Sequence, residues 1–422
     1  MKSLKIGIVG SGTSGLAAAA FLTRDGHDVT LFERFDSPRP VGAGLLLQPT
    51  GLACLARLGL DERALDAGAR IDRLYGEDAN GSVIFDLAYS DLRPHLFGLG
   101  IHRGALFSLL YDEVTRLGVP ARTACEIVDT EIEAGSRHLV DAGGGRHGPF
   151  DLVVDASGMR SRLRDPHGTV SRNRPFRYGA VWGVCDDPGQ AFGGDSLQQR
   201  YDGAGVMIGV LAIGRRPADG RQAVTFFWSL PVASYDQWRD QGLDPWKARV
   251  TGYWPELAPF MEQFRTVEDL TFAAYSDTIM KSWHAERIVF IGDSAHCTSP
   301  QLGQGANLGL IDALTLSLSL RGGGSLDEAL LRHTKARKSH VTFYQLASRW
   351  LTPFFQSDSR SLAWLRNRSF GLLCRTPYVK TEMLRTLAGI KTGPFGTLDP
   401  GDWHERYCLD RKPQPVLSSQ PL

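Results

Sequence analysis

A chain of 422 residues, 42% hydrophobic and 22% charged, has the composition of an ordinary globular protein and a length that suits two or three packed subdomains better than one core. A net charge of +1 offers no attraction for nucleic acid or an acidic membrane, so the expected partner is a small molecule. The six cysteines, Cys54, Cys125, Cys185, Cys297, Cys374 and Cys408, show neither CxxC spacing nor histidines at metal-ligand spacing; no metal site and no disulfide framework is expected, and reduced cytoplasmic thiols fit best.

Residues 4–9 read as a short buried strand, 15–24 as a helix stopped by Gly26, and 29–33 as a second strand, which together make a βαβ unit. Small residues at 17–20 imitate a secretory cleavage site, but cleavage there would remove the glycine loop Gly10-Ser11-Gly12-Thr13-Ser14-Gly15. In that loop Gly10 suits a tight turn, Gly12 a close approach of backbone to pyrophosphate, and Gly15 helix-to-strand packing. Glu33, closing the second strand, can accept hydrogen bonds from ribose hydroxyls. A lone GxGxxG is weak evidence; between a strand and an Ala-rich helix, with an acid after the next strand, it points to a dinucleotide without separating FAD from NAD.

Residues 40–49 read as a flexible loop and 52–58 as a short helix, followed by strand-like alternation near 71–75 and 83–87. The string Ile101-His102-Arg103 opens a helix running to Arg116. Residues 124–155 read as a small β-meander with a hairpin turn at 141–146, ending in a buried strand that returns to the main sheet at Asp155-Ala156-Ser157-Gly158. From 176 to about 279 aromatic-rich strands alternate with irregular loops, the texture of an inserted antiparallel sheet. Residues 287–307 then combine an apolar strand, Asp293 at its end, a turn at Pro300 and the glycines Gly303 and Gly305 at the start of a helix, a further site for an anionic cofactor. Helices are expected over 308–320, 326–350 and 365–387, with a loosely ordered end at 412–422. No apolar run approaches the ~20 residues of a membrane span.

Four motifs stand in order: the glycine loop with Glu33, the Ile-x-Arg-x-x-Leu pattern around Arg103, the segment from Asp155 to Arg164, and the Gly292-Asp293 string. Over essentially its full length the chain resembles the class A FAD-dependent monooxygenases, the group of 4-hydroxybenzoate hydroxylase, and its tail is similar to that of the ubiquinone-biosynthesis hydroxylases. The resemblance implies an α/β fold: a Rossmann-like FAD-binding domain of the glutathione reductase type (1–70, 98–175 and 283–324), an inserted antiparallel β-sheet substrate domain (71–97 and 176–282) and a C-terminal helical region (325–422).

It also implies that Gly10, Gly12, Thr13, Ser14 and Gly15 hold the FAD pyrophosphate, Glu33 and Arg34 the adenosine ribose side, Arg103 the pyrophosphate or ribityl region, and Asp293 a ribityl hydroxyl. Pro300, Gly303, Gly305, Ala306 and Asn307 would border the isoalloxazine ring, where backbone N–H groups stabilise negative charge on the reduced flavin. Ser157 stands where the family carries a carboxylate, which leaves the electron donor, NADPH or NADH, open; Arg160 is a candidate contact to its nucleotide. No second GxGxxG supplies a separate NAD(P)H domain. His296 reads as structural. Trp182, Tyr201 and Trp228 are candidate pocket residues, with ordinary sheet packing the alternative for each.

The implied reaction is reduction of FAD, capture of O2 as a flavin C4a-hydroperoxide and transfer of one oxygen atom to a small aromatic substrate, with the loop 42–51 permitting flavin movement. Three rivals stay open: a flavin-dependent halogenase, on the partial match Phe226-Phe227-Trp228-Ser229-Leu230-Pro231, an alkene reductase on the same fold, and a flavin-binding redox sensor without turnover.

Overall fold

Short apolar runs with little room for polar groups, Lys5–Val9, Asp28–Phe32, Leu152–Asp155 and Ile288–Phe290, pair in parallel, as strands buried on both faces do. In the computed structural model, which describes residues 2–38, 43–192 and 194–398, they form the centre of a six-stranded sheet whose edges are Ala121–Arg122 and the antiparallel His284–Ala285. The expected loop start at 40–42 and the end at 412–422 lie outside the described residues.

One face of this sheet is covered by the helices Thr13–Arg24 and Gly305–Arg321, with Leu16, Leu22, Leu310 and Leu314 in a common core with Ile6, Leu31 and Val154. The other face carries the meander Ile127–Glu133, Ser136–Asp141 and Arg146–Phe150, where Leu139 and Phe150 pack on Val9, Phe32 and Val153. The fold is therefore the expected α/β arrangement, with the carboxyl ends of the parallel strands opening into one crevice.

A second, seven-stranded sheet runs in the order Thr271–Ala273, Tyr178–Asp186, Gln222–Pro231, Val206–Arg215, Ser196–Asp202, Arg73–Asp78, Val83–Ala88. The expected antiparallel pairing holds for five of its six neighbouring pairs; Ser196–Asp202 instead pairs in parallel with Arg73–Asp78, which arrives from an earlier, distant part of the chain. The segments read as irregular loops contain the helices Tyr235–Gln241, Leu243–Tyr253 and Ala258–Met261, whose Trp238, Trp246 and Phe260 pack behind the sheet. Aromatic residues favour strands, and that preference masked their helical spacing.

Residues 44–47 are a strand, Gly44–Leu47, paired with Gly98–His102, and not the expected flexible loop; the following helix starts earlier than expected, at Pro49. The glycine there serves contact: a Cβ on Gly44 would lie 2.4 Å from Ile213 Cγ2 of the large sheet. At the C-terminal side, Leu326–Phe355 outruns its expected length, and the tail divides into Arg360–Arg375 and Pro377–Leu387, since Pro377 cannot continue the first helix. Among the described residues no helix is long and apolar enough to cross a membrane.

Candidate functional site

The crevice begins at the glycine loop. Gly10, at φ +100°, turns the chain out of the first strand and donates its N–H to Phe32 O at 2.8 Å. Gly15 brings the helix onto that turn, where any Cβ would sit 1.9 Å from Gly10 O. The helix has no side-chain cap and no acid in its first turn, so its leading N–H groups, at Thr13 and Ser14 on the cleft wall, remain available to an anion.

Glu33 follows the second strand and is locked to the loop: Oε2 accepts from Ser11 N at 3.0 Å and Ser11 Oγ at 2.5 Å, and Oε1 accepts from Phe35 N at 3.0 Å. Arg34 lies beside it, its guanidinium 4.6 Å from the Phe35 ring centre.

On the opposite wall, Arg103 heads the helix Arg103–Arg116, oriented by Arg103 N donating to Ala43 O at 3.0 Å and by His102 Nδ1, which accepts from Gly104 N at 2.9 Å. Arg160 is exposed on the cleft wall with no hydrogen-bond partner among the described residues. Ser157 turns inward: its N–H (2.9 Å) and Oγ (2.6 Å) donate to Asp155 Oδ1, and Ser161 Oγ donates to Asp155 Oδ2. Burial raises the Asp155 pKa, while these three bonds and Arg164 pull it down. Position 157 thus puts no carboxylate on the cleft wall, and Asp155, two residues earlier, is fully buried.

Gly292, at φ +61°, exposes Asp293 at the floor. Asp293 is open to the cleft on one side and enclosed by protein elsewhere, which raises its pKa against the pull of His296 and Arg103. Its carboxylate accepts no hydrogen bond among the described residues and is exposed to the cleft, where a ligand hydroxyl could donate to it. The turn beneath is built from charge. Asp312 Oδ2 accepts from Gly292 N at 2.8 Å and from His296 Nε2 at 2.5 Å, and Oδ1 from Arg337 Nε at 2.7 Å, all buried. His296 is therefore structural.

Beyond Arg103 and Asp293 the cleft continues into a cavity of ≈ 350 Å³ between the inner face of the seven-stranded sheet and residues 298–306, within the usual range for a small-molecule pocket. Trp182, Met207, Leu211 and Phe227 form its apolar wall, with the Trp182 and Phe227 rings 4.8 Å apart. Trp182 Nε1 donates to Tyr275 Oη at 2.9 Å, and burial pushes the Tyr275 phenol up to about 12, so it stays a neutral donor. Gln48 Nε2 and Gln304 Oε1, both on residues of the wall, have no partner among the described residues. Pro300, Gly303, Gly305 and Ala306 line this cavity, and Gly305 and Ala306 the outer cleft as well.

The Asn307 side chain is buried: its Oδ1 accepts from Gln48 N at 2.9 Å and its Nδ2 donates to Gly303 O at 2.9 Å, so it clamps two segments and only the backbone N–H, in the first turn of the helix from Gly305, is left for the expected role. Two expected pocket residues stand elsewhere. Trp228 follows Phe227 on the strand and so points to the other face, against Trp246 and Tyr253. Tyr201 is sealed under Phe355 and the Arg366 guanidinium, 4.8 Å from its ring centre. Sequence reading missed Phe227, Tyr275, Gln48 and Gln304; alternation fixed by Trp182 pairing opposite Phe227 would have found the first.

An open glycine cradle, uncapped helix N–H groups and a carboxylate exposed at the cleft floor fit a long anionic cofactor with a hydroxylated chain, which FAD is. A family described as FAD binding domain matches residues 3–342. The chain is 27% identical over 412 residues to 3-amino-4-hydroxybenzoate 2-monooxygenase of Streptomyces cremeus, covering 88% of this chain and 97% of that one. It is 28% identical over 402 residues to 6-methylpretetramide 4-monooxygenase of Streptomyces rimosus, covering 91% and 92%. Its fold is similar to that of Klebsiella pneumoniae HpxO, solved with FAD and uric acid, at a TM-score of 0.77 and 19% identity over 93% of this chain and 98% of the other.

Proposed function

Because the chain belongs to the FAD binding domain family, within the FAD-dependent monooxygenases, we propose that it uses NADPH or NADH and O2 to hydroxylate a small aromatic substrate held in the cavity beside Asp293. The observation that carries this reading is the continuity of the two spaces: Leu45, Arg103, Asp293, Gly305 and Ala306 border both the glycine-lined cleft and the apolar cavity.

In this reading residues 1–70, 98–175 and 283–324 bind the cofactor and the large sheet with its flanks binds the substrate. Thr13 and Ser14 N–H groups, with the glycine loop, take the pyrophosphate, Glu33 and Arg34 the adenosine side, and Arg103 and Asp293 the ribityl chain. Pro300, Gly303, Gly305 and Ala306 border the ring. Arg160, without a hydrogen-bond partner among the described residues, contacts the nicotinamide nucleotide transiently. When bound, FAD supplies the redox chemistry, taking two electrons from the nicotinamide and activating O2 so that one oxygen atom enters the substrate and the other leaves as water.

The protein's own share is orientation and dryness. Trp182, Met207, Leu211 and Phe227 exclude water and clamp flat rings. Tyr275, whose oxygen already accepts from Trp182, keeps its O–H proton for an acceptor on the substrate. The related enzymes act on substituted aromatic rings, and a mostly apolar wall with these few polar groups suits that class.

The test is NAD(P)H oxidation and O2 uptake across a panel of phenols, quinolones and aromatic polyketides, with product identified by mass. Stimulated oxidation with a product heavier by one oxygen supports the proposal; flat rates throughout, or turnover that persists without O2, refute it. The cofactor part is checked separately with Asp293→Ala, which should purify with less FAD.

A further inference from the structure

We propose that Cys125, Asp141 and His147 form a binding site for one thiophilic divalent cation of the Zn2+ class, set in the meander wall beside the nucleotide cleft. The sequence led to the opposite expectation, because the three residues come together only when the arms of a hairpin pair: Cys125 precedes the strand Ile127–Glu133, Asp141 ends Ser136–Asp141 and His147 lies on Arg146–Phe150.

Their ligand atoms converge. Cys125 Sγ lies 3.5 Å and Asp141 Oδ2 2.7 Å from His147 Nε2, and Sγ and Oδ2 are 4.0 Å apart. With Zn–S about 2.3 Å and Zn–N and Zn–O about 2.0 Å, a tetrahedral ion sets the S···N and S···O edges at about 3.5 Å and the N···O edge at about 3.3 Å. Moving the carboxylate oxygen by about 1.1 Å, toward the sulfur and away from the ring nitrogen, would meet all three distances.

The pattern is that of a metal site and not of a proton relay. In a Cys-His-Asp relay the acid and the thiol use opposite ring nitrogens; here both face Nε2, which carries either one hydrogen or one lone pair and so cannot serve both. A cation bonds all three at once. The carboxylate is also held as a metal ligand would be: Asp141 Oδ1 accepts from Gly143 N at 2.9 Å and Gly145 N at 2.8 Å, which aims Oδ2 at the other two groups. Partial exposure of all three leaves room for water as a fourth ligand.

The location gives the site a consequence. Cys125 lines the cleft, and its N–H donates to Glu33 O at 2.9 Å. A bound ion would tie the meander to the segment that carries Glu33, so it acts on the stability of this wall and not on the substrate cavity.

The experiment uses the flavin-loaded enzyme, stripped of metal by chelator and then given Zn2+ or Co2+ alone. One equivalent of Zn2+ should remain after gel filtration, and Co2+ should show d–d bands to the red of the flavin absorption. Cys125→Ser and His147→Ala should weaken binding by at least about tenfold. In the unmutated protein, Zn2+ should slow alkylation of Cys125, mapped by peptide mass; the other described cysteines are buried and serve as internal controls. Less than stoichiometric retention, unchanged binding in Cys125→Ser, or alkylation of Cys125 indifferent to Zn2+ would overturn the proposal.

Discussion

The charged hub under the Asp293 turn gives the most demanding prediction. In Asp312→Asn one oxygen is replaced by an NH2 group of equal size, so the amide must turn N–H either toward Arg337 Nε or toward Gly292 N and His296 Nε2, all of which now donate to the carboxylate. At least one contact becomes donor against donor. The Arg337 guanidinium, 1% exposed, also loses its counter-charge. Removing one partner of a buried pair costs about 3–5 kcal/mol. Burial alone would raise the Asp312 pKa, but the positive groups at His296 and Arg337 outweigh it and hold the carboxyl far below the usual range. A depressed carboxyl stabilises the fold fully above its unfolded value of about 3.9 and loses that contribution only in stronger acid, so the carboxyl's share of the variant's deficit should be fully present at neutral pH. The assay is urea unfolding of the flavin-loaded protein, followed by tryptophan fluorescence and FAD release at several pH values. Replacing both charges, Asp312→Asn with Arg337→Met, should cost less than Asp312→Asn alone. A loss below about 1 kcal/mol with normal FAD retention would refute the view that this pair supports the turn.

His333 is fully buried, and neither ring nitrogen has a partner among the described residues. Burial lowers its pKa to about 4 against the pull of Asp312, so the unfolded chain binds the extra proton between about pH 4 and 6.5 and stability should rise with pH across that window, by about 3 kcal/mol. His333→Leu should remove that slope and add about 1–2 kcal/mol at neutral pH, read by the same unfolding assay; an unchanged slope counts against it. Gly12 and Gly15 should respond oppositely to alanine. A Cβ on Gly12 meets nothing within 4 Å, so Gly12→Ala should fold normally and bind FAD about tenfold or more weakly, whereas Gly15→Ala, with its Cβ 1.9 Å from Gly10 O, should fail to accumulate as soluble flavoprotein. Equal behaviour of the two variants would sink the assignment of separate roles. Trp182→Ala should raise the fraction of NAD(P)H oxidised without product, while Trp228→Phe should lower stability and leave that fraction alone; the reverse result would exchange the two faces of the strand.

Much of the cofactor cleft was legible in the sequence because its parts are local. A glycine turn, an uncapped helix start and an acid at a strand end each lie within a few residues, and backbone sterics alone restrict what Gly10, Gly15 and Gly292 can do. The βαβ unit, the Arg103 helix, the meander and the Asp293 turn followed directly. Residues 44–47 did not, since the glycine that suggested a loop is explained by a sheet packed against it from residue 213.

The cavity and the cation cluster were decided by tertiary structure. Which of Trp182, Tyr201 and Trp228 faces the cavity depends on strand register and on what covers the end of the sheet, and Phe355 and Arg366, which seal Tyr201, come from helices far along the chain. Asn307 belongs to the right motif, yet its partners Gln48 and Leu46 lie about 260 residues away and take up its amide. Cys125, Asp141 and His147 share no linear spacing and meet only across a paired hairpin. The sequence by itself determined the dinucleotide cleft because its chemistry is built from neighbouring peptide groups; the apolar cavity and the cluster needed the fold, because side chains distant in sequence acquire a common direction only once the strands have paired.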